Sequence, residues 1–148
     1  MKPAALALSL VLLLAAQAAC ALDYVSVEAG SATLYEADSL KSRKLYVVSR
    51  YMPLERVISA DNWVKVRDHA GSLAWVEKRV LSSKRYVMVT AAQATVRQAP
   101  DATAAVAFQA AQNVALEWMA ASGGGWTKVR HLDGSVGYVR ATEIWGDE

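Results

Sequence analysis

Cysteine, histidine and phenylalanine are nearly absent: the 148 residues hold one Cys, two His and one Phe. A single cysteine excludes a disulfide within the chain, so the fold must rest on packing. It also leaves one thiol at most, and Cys20 stands at the end of an N-terminal stretch that reads as a removable leader. Two histidines, His69 and His131, are too few for a zinc site in each half. Asp68 and not His69 corresponds to His131 in the internal repeat described below, so no imidazole position is shared. No metal and no cofactor is expected. Gly123-Gly124-Gly125 is followed by neither Lys-Ser nor Lys-Thr, which excludes a phosphate cradle. "GSVG" lacks the Gly-x-Ser-x-Gly spacing of a nucleophile elbow. Catalytic residues are therefore expected to be none.

The opening "MKPAALALSLVLLLAAQAACA" has one Lys, an apolar run and a small-residue close, the pattern of a secretory signal peptide over residues 1–21. Ala19-Cys20-Ala21 fits an A-x-A cleavage site, which makes Leu22 the first mature residue. The alternatives are an uncleaved anchor and lipidation at Cys20, disfavoured because Gln17 replaces the usual lipobox Leu. Only these two would give membrane contact. Export implies a periplasmic or secreted protein. Beyond residue 21 no long apolar run follows.

Without Lys2 the chain carries 15 basic and 14 acidic residues, a net charge of +1. This balance argues against nucleic acid, which would call for a clustered basic face. Residues 22–85 carry 11 basic and 8 acidic side chains, whereas residues 86–148 carry 4 and 6. The first half is thus the more cationic, with Lys41, Arg43, Lys44 and Arg50 either meeting an anionic partner or forming a solvated loop.

The chain repeats itself. At an offset of 62, Tyr24, Val25, Val27, Ala29, Ala32, Thr33 and Ala37 match Tyr86, Val87, Val89, Ala91, Ala94, Thr95 and Ala99. From Trp63 the offset is 63, and "WVKVRDHAGSLAWV" returns as "WTKVRHLDGSVGYV". The slip lies where "ISADN" faces "AASGGG", and a hairpin tip is expected to absorb it. Two domains follow, 22–84 and 85–148.

"YVSV", "LERVIS", "WVKVR" and "SLAWV" are short, rich in β-branched and aromatic residues, and bounded by turn formers, which predicts strands. "DATAAVAFQAAQ" is Ala-rich, but Pro100 precedes it and its counterpart ends in "LYVV", so it is expected to be loop and strand. Asp133-Gly134 is expected to supply the positive φ angles of a tight hairpin, with Gly71 in the matching place. Alternation puts Val64, Val66, Ala74 and Val76 on one face and Trp63, Lys65, Arg67, Leu73 and Trp75 on the other. Ala74 and Gly137 share one position, which predicts close packing there. About five strands per 60 residues, closed to hide their edges, give an all-β chain of two small barrels after the leader helix. Each alone is marginal, and packing the two together would help.

The order W-x-K-V-R … G-S-x-[AG]-[WY]-V, preceded by "ATLYEA" and "ATVRQAP" and followed by "KRVLS" and "ATEIWG", resembles the bacterial SH3-like domain, or SH3b. Both copies match, over nearly all of residues 24–146. The resemblance implies two tandem SH3-like barrels and a non-catalytic role: binding cell-wall peptide or glycan, or holding an envelope protein to its partner. The Cys-His hydrolases often attached to such domains have no counterpart in this sequence. The first copy departs from the family in having Ala74 for the usual Gly, the second in having Tyr138 for Trp, and Tyr35 stands where the second has Arg97. The two halves are therefore not expected to bind alike.

Five tryptophans and six tyrosines remain as candidate contacts. They either stack on sugar rings or flat peptides or fill barrel ends and the seam between halves. The expected ligand-binding residues are Trp63 and Trp75 with Tyr35 and Tyr51 nearby, and Trp126 and Tyr138 in the second copy. The alternative to a wall ligand is an adaptor that recruits an envelope protein through the seam or an open strand edge.

Overall fold

A computed structural model describes residues 22–148; the expected signal helix at 1–21, with Cys20, lies outside the described residues. The first repeat forms β1 (Tyr24–Val27), β2 (Ser31–Tyr35), β3 (Lys44–Ser49), β4 (Pro53–Ala60), β5 (Trp63–Arg67), β6 (Leu73–Glu77), a single 3-10 turn (Lys78–Val80) and β7 (Leu81–Ser82). The second repeats the series as β8 (Tyr86–Val89), β9 (Gln93–Arg97), β10 (Val106–Ala111), β11 (Ala115–Gly123), β12 (Trp126–Arg130), β13 (Val136–Arg140), a 3-10 turn (Ala141–Glu143) and β14 (Ile144–Trp145). The "DATAAVAFQAAQ" segment is loop and strand, as its counterpart implied.

Each repeat makes one antiparallel seven-stranded sheet, ordered β3-β2-β6-β5-β4-β1-β7 and β10-β9-β13-β12-β11-β8-β14. Seven strands replace the five or so expected. Leu81–Ser82 and Ile144–Trp145 are two residues long, too short for any alternation to reveal them.

All seven strands of the first sheet face one core built on Val25, Val27, Leu34, Leu54, Val64, Val66 and Val76. A sheet that turns every strand toward one core is wound on itself into a barrel, and the second encloses a separate core around Val87, Val89, Val96, Leu116, Val129 and Val139. The inward residues of β5 and β6 are those that alternation assigns: Val64, Val66, Ala74 and Val76 are fully or almost fully buried.

Gly137 is where the backbone of β13 comes closest to its surroundings. A Cβ there would lie 2.6 Å from Val96 Cγ1 and 2.7 Å from the Arg97 carbonyl oxygen. The first barrel accommodates Ala74 at the same place, so the two interiors differ in shape.

Two local expectations are corrected. The extra residue of the second repeat is not taken up at the hairpin tip. Both tips are two residues long, since Ala60 pairs with Trp63 and Gly123 with Trp126. Instead β11 carries two register irregularities where β4 carries one. A bulge accepts one residue and adds twist without rebuilding the turn. Gly124 and Gly125 form the second tip at φ 61° and 81°, the two positive angles of a type I′ turn. At Asp133-Gly134, by contrast, only the glycine is left-handed, at φ 93°. The loop there has three residues: His131 N donates to Ser135 O at 2.8 Å and Gly134 N to His131 O at 2.9 Å. Such a loop needs one left-handed residue, not two.

The barrels meet along a seam. Tyr24 is edge-on to Trp145 at 5.2 Å, and Tyr51 stacks on Tyr86 at 4.8 Å between centroids. Arg85, in the connection, lies over Tyr24 at 5.2 Å and Trp118 at 4.9 Å, and its Nη2 donates to Gly146 O at 2.7 Å. Ser26 Oγ donates to Lys84 O at 2.8 Å, and Lys84 approaches Glu117 at 3.6 Å.

Candidate functional site

The sequence places aromatic and charged residues on the outward face of β5 and β6, and the register brings them together. Tyr35 is the cross-strand partner of Trp75, and Trp75 is the partner of Lys65. Partners in an antiparallel ladder share a face, so Tyr35, Trp75 and Lys65 run in a row across three strands. Trp63 lies opposite Glu77, and its ring meets Tyr35 edge-on at 5.4 Å and 89°. Lys65 Nζ sits 6.0 Å from the Trp75 centroid.

Glu77 is held by Arg79 through two bonds of 3.0 Å. This bidentate pair pushes the Arg79 pKa further up, through the hydrogen bond to Glu77 first and its charge second. Beside the cluster opens a hollow of about 450 Å³ lined by Asn62, Glu77, Lys78 and Arg79. Asn62 precedes Trp63 and Glu77 is its partner, so the hollow adjoins the aromatic face.

The second barrel has the same row with different chemistry. Tyr138 is flanked by Arg97 and Lys128, and Trp126 faces Arg140. Lys128 stands 6.0 Å from the Tyr138 ring, as Lys65 does from Trp75. Arg140, however, lies 4.6 Å from the Trp126 centroid and covers it, and Trp126 is buried. Arg97 donates to Ala104 O at 2.8 Å. The second face is therefore a cationic surface with its tryptophan capped, and the first an aromatic surface with its tryptophans half-buried.

Of the six expected contact residues, Tyr35, Trp63 and Trp75 gather in the first barrel and Trp126 and Tyr138 stand at the matching strands of the second. Tyr51 does not join them: its contacts are Tyr86 and Arg50, at the seam. The seam also takes Tyr24, Tyr86, Trp118 and Trp145.

One histidine reaches across the seam and the other packs within its own barrel. His69 lies 6.4 Å from Trp145, and His131 packs at 5.6 Å on Phe108. Among the described residues no group of three His, Cys, Asp or Glu side chains is placed to hold a metal ion.

A second cleft, which strand patterns did not signal, lies at the seam. It has a volume of about 230 Å³ and is lined by Glu28, Arg50, Tyr51, Ser82, Lys84 and Tyr86, with Ser26 and Val27 at its base. Seven of its eight lining residues belong to the first half, and Tyr86 of the second completes it. The repeat could have hinted at it, since Arg50 and Glu28 face Gln112 and Thr90 in the other copy.

The sequence model of the family described as "Bacterial SH3 domain" matches residues 28–83 and again 90–146. No curated protein matches the chain. Among solved structures, NlpC1 from Trichomonas vaginalis is similar at 12% identity and a TM-score of 0.39, over 84% of this chain and 45% of that one. NlpC2 from the same organism is similar at 13% identity and a TM-score of 0.38, over 83% and 47%. An NlpC/P60 family protein from Bacillus cereus ATCC 10987 is similar at 15% identity and a TM-score of 0.38, over 82% and 55%. The chain spans about half the length of these structures.

Proposed function

The chain belongs to the bacterial SH3 domain family, with one domain in each half, and from that premise we propose that it is an exported, non-catalytic module that binds cell-wall peptide or glycan. The observation that carries this reading is the pair Trp75–Lys65 with Trp63 beside it, on the outside of the first barrel next to an open hollow, backed by the buried ring of Tyr35. The half-buried rings of Trp63 and Trp75 offer flat apolar area at low entropic cost, and Lys65 beside them can pair with a ligand carboxylate. The second barrel, its tryptophan capped by Arg140, serves as the firm neighbour that the first packs against.

Mature protein is expected to co-sediment with purified sacculi, and Trp75→Ala to weaken this by about tenfold while the circular dichroism is kept. Failure to sediment at any salt concentration would remove the wall ligand.

One observation favours an adaptor instead. Strand β3 ends its sheet, and Val47 on it is 63% exposed. An open edge with an exposed apolar residue can accept a strand from another protein. Crosslinking in cells that recovers one protein partner, with no affinity for sacculi, would decide for this second reading.

A further inference from the structure

The seam cleft holds an arrangement that neither the aromatic face nor the packing of the barrels uses. Two of its lining residues, Glu28 and Arg50, carry opposite charge; both are solvent-exposed, and neither has an ion-pair partner among the described residues. Among the described residues, no carboxylate lies at ion-pair distance from Arg50 and no cation at that distance from Glu28. Both line the same cleft, yet they do not bridge each other. The third charge, Lys84, is shared with Glu117 at 3.6 Å.

The walls between them are built at some cost. Tyr51 holds a left-handed backbone, φ 69°, to lay its ring on Tyr86. Each ring of that stack also carries a cation: Arg50 is 4.9 Å from the Tyr51 centroid and Lys84 is 5.6 Å from that of Tyr86. Stacking of this kind keeps the Arg50 guanidinium in place, with its N–H donors free at the edges.

The second repeat shows what the position looks like without that use. Thr90, Gln112, Asn113 and Trp145 replace Glu28, Arg50, Tyr51 and Ser82. Every charge is gone from these places, and the left-handed residue is one that accepts the conformation readily.

We infer that the seam cleft binds a small zwitterion of amino-acid size, its carboxylate on Arg50 and its ammonium group on Glu28, between the Tyr51–Tyr86 stack and Ser82. A lone anion would leave Glu28 opposed to it, and a lone cation would meet Arg50 and Lys84. Only a ligand with both charges satisfies both walls. A volume of about 230 Å³ lies below the range of pockets for drug-sized molecules and suits a single amino acid. This site is separate from the Tyr35–Trp63–Trp75 face.

The full chain titrated with glycine, acetate or methylammonium, and followed by the ring proton resonances of Tyr51 and Tyr86, tests the inference. Glycine is expected to shift these resonances at millimolar concentration, with acetate and methylammonium about tenfold weaker. Glu28→Gln should weaken glycine by about three- to tenfold and leave acetate equal or stronger; Arg50→Gln should weaken glycine and not methylammonium. Tyr51→Asn, which installs the residue that the second barrel carries at this backbone position, should abolish the response while the fold is kept. Trp75→Ala should not alter it, which separates failure here from failure of wall binding. Acetate binding as well as glycine, an unchanged response in Glu28→Gln, or no shift with glycine would each overturn the inference.

Discussion

Tyr51 and Asn113 occupy the same position in the two repeats, and both hold a left-handed backbone, at φ 69° and 68°. The amide of Tyr51 donates to Val27 O at 2.8 Å and that of Asn113 to Val89 O at 2.9 Å. The corner between the third and fourth strands of each barrel thus imposes the conformation, whatever residue stands there. Asn tolerates it, while an aromatic side chain pays about 1–2 kcal/mol. The tyrosine is kept because its ring reaches across to Tyr86 of the other barrel. A local penalty in one repeat is exchanged for a contact that only a duplicated chain can make.

Tyr51→Asn therefore trades strain against stacking, and its net effect on stability should stay within about 1 kcal/mol. Tyr86→Ala removes the same stack and relieves nothing, since Tyr86 is a buried strand residue, and should cost about 3 kcal/mol. Urea denaturation of the two variants checks the difference. Equal losses would mean that the left-handed tyrosine is unstrained.

At the position shared by Ala74 and Gly137, each barrel should lose stability when it takes the residue of the other. Gly137→Ala drives a methyl group to within 2.7 Å of a backbone oxygen that cannot move without breaking the sheet, and should cost about 1–3 kcal/mol. Ala74→Gly in the first barrel loses one small buried side chain and some backbone entropy, about 1 kcal/mol. A denaturation midpoint unchanged in Gly137→Ala would show that β13 and β9 are further apart than described.

Alkaline pH should destabilise the protein through two tyrosines. Burial first, and the nearby Glu148 and Glu55 second, push Tyr24 up to about 12. Burial first, then the hydrogen bond to Asp68, raises Tyr46 as well, its hydroxyl donating to Asp68 Oδ2 at 2.7 Å. Both groups are harder to ionise folded than unfolded, so their contribution is fully present below about pH 10 and declines as pH rises toward 12. Tyr46→Phe should lessen that decline and, at neutral pH, cost about 1 kcal/mol for the lost bond to Asp68. Phenolate absorbance read against pH would check it: all six tyrosines titrating together near pH 10 would contradict the burial of these two.

Much of this architecture was legible because duplication makes a sequence comment on itself. The alternation in "WVKVR" and "SLAWV" gave the inner face, and the doubled motif gave the family that the sequence comparison shows. What pattern could not give was anything that depends on two segments meeting in space. The place of Tyr51 at the seam is one such case. Another is the pairing of Phe108 with His131 where the first barrel pairs Tyr46 with Asp68: two substitutions far apart in sequence that make sense only together. The one-residue insertion misled for a related reason, since a bulge and a longer turn look alike in an alignment of repeats.

Arg85 supplies the last prediction, because it touches both barrels at once. Its guanidinium lies between Tyr24 of the first barrel and Trp118 of the second, and it holds the Gly146 carbonyl. It does so although its Nε is buried without a partner, a cost the flanking rings must offset. Arg85→Ala should therefore lower stability by about 2 kcal/mol and, by uncoupling the barrels, split a single calorimetric transition into two. Arg85→Lys keeps the charge but lacks the planar fork that stacks and donates at once, so it should restore less than half of the loss. A single transition at unchanged temperature in Arg85→Ala would place the coupling instead in the Tyr24–Trp145 and Tyr51–Tyr86 contacts.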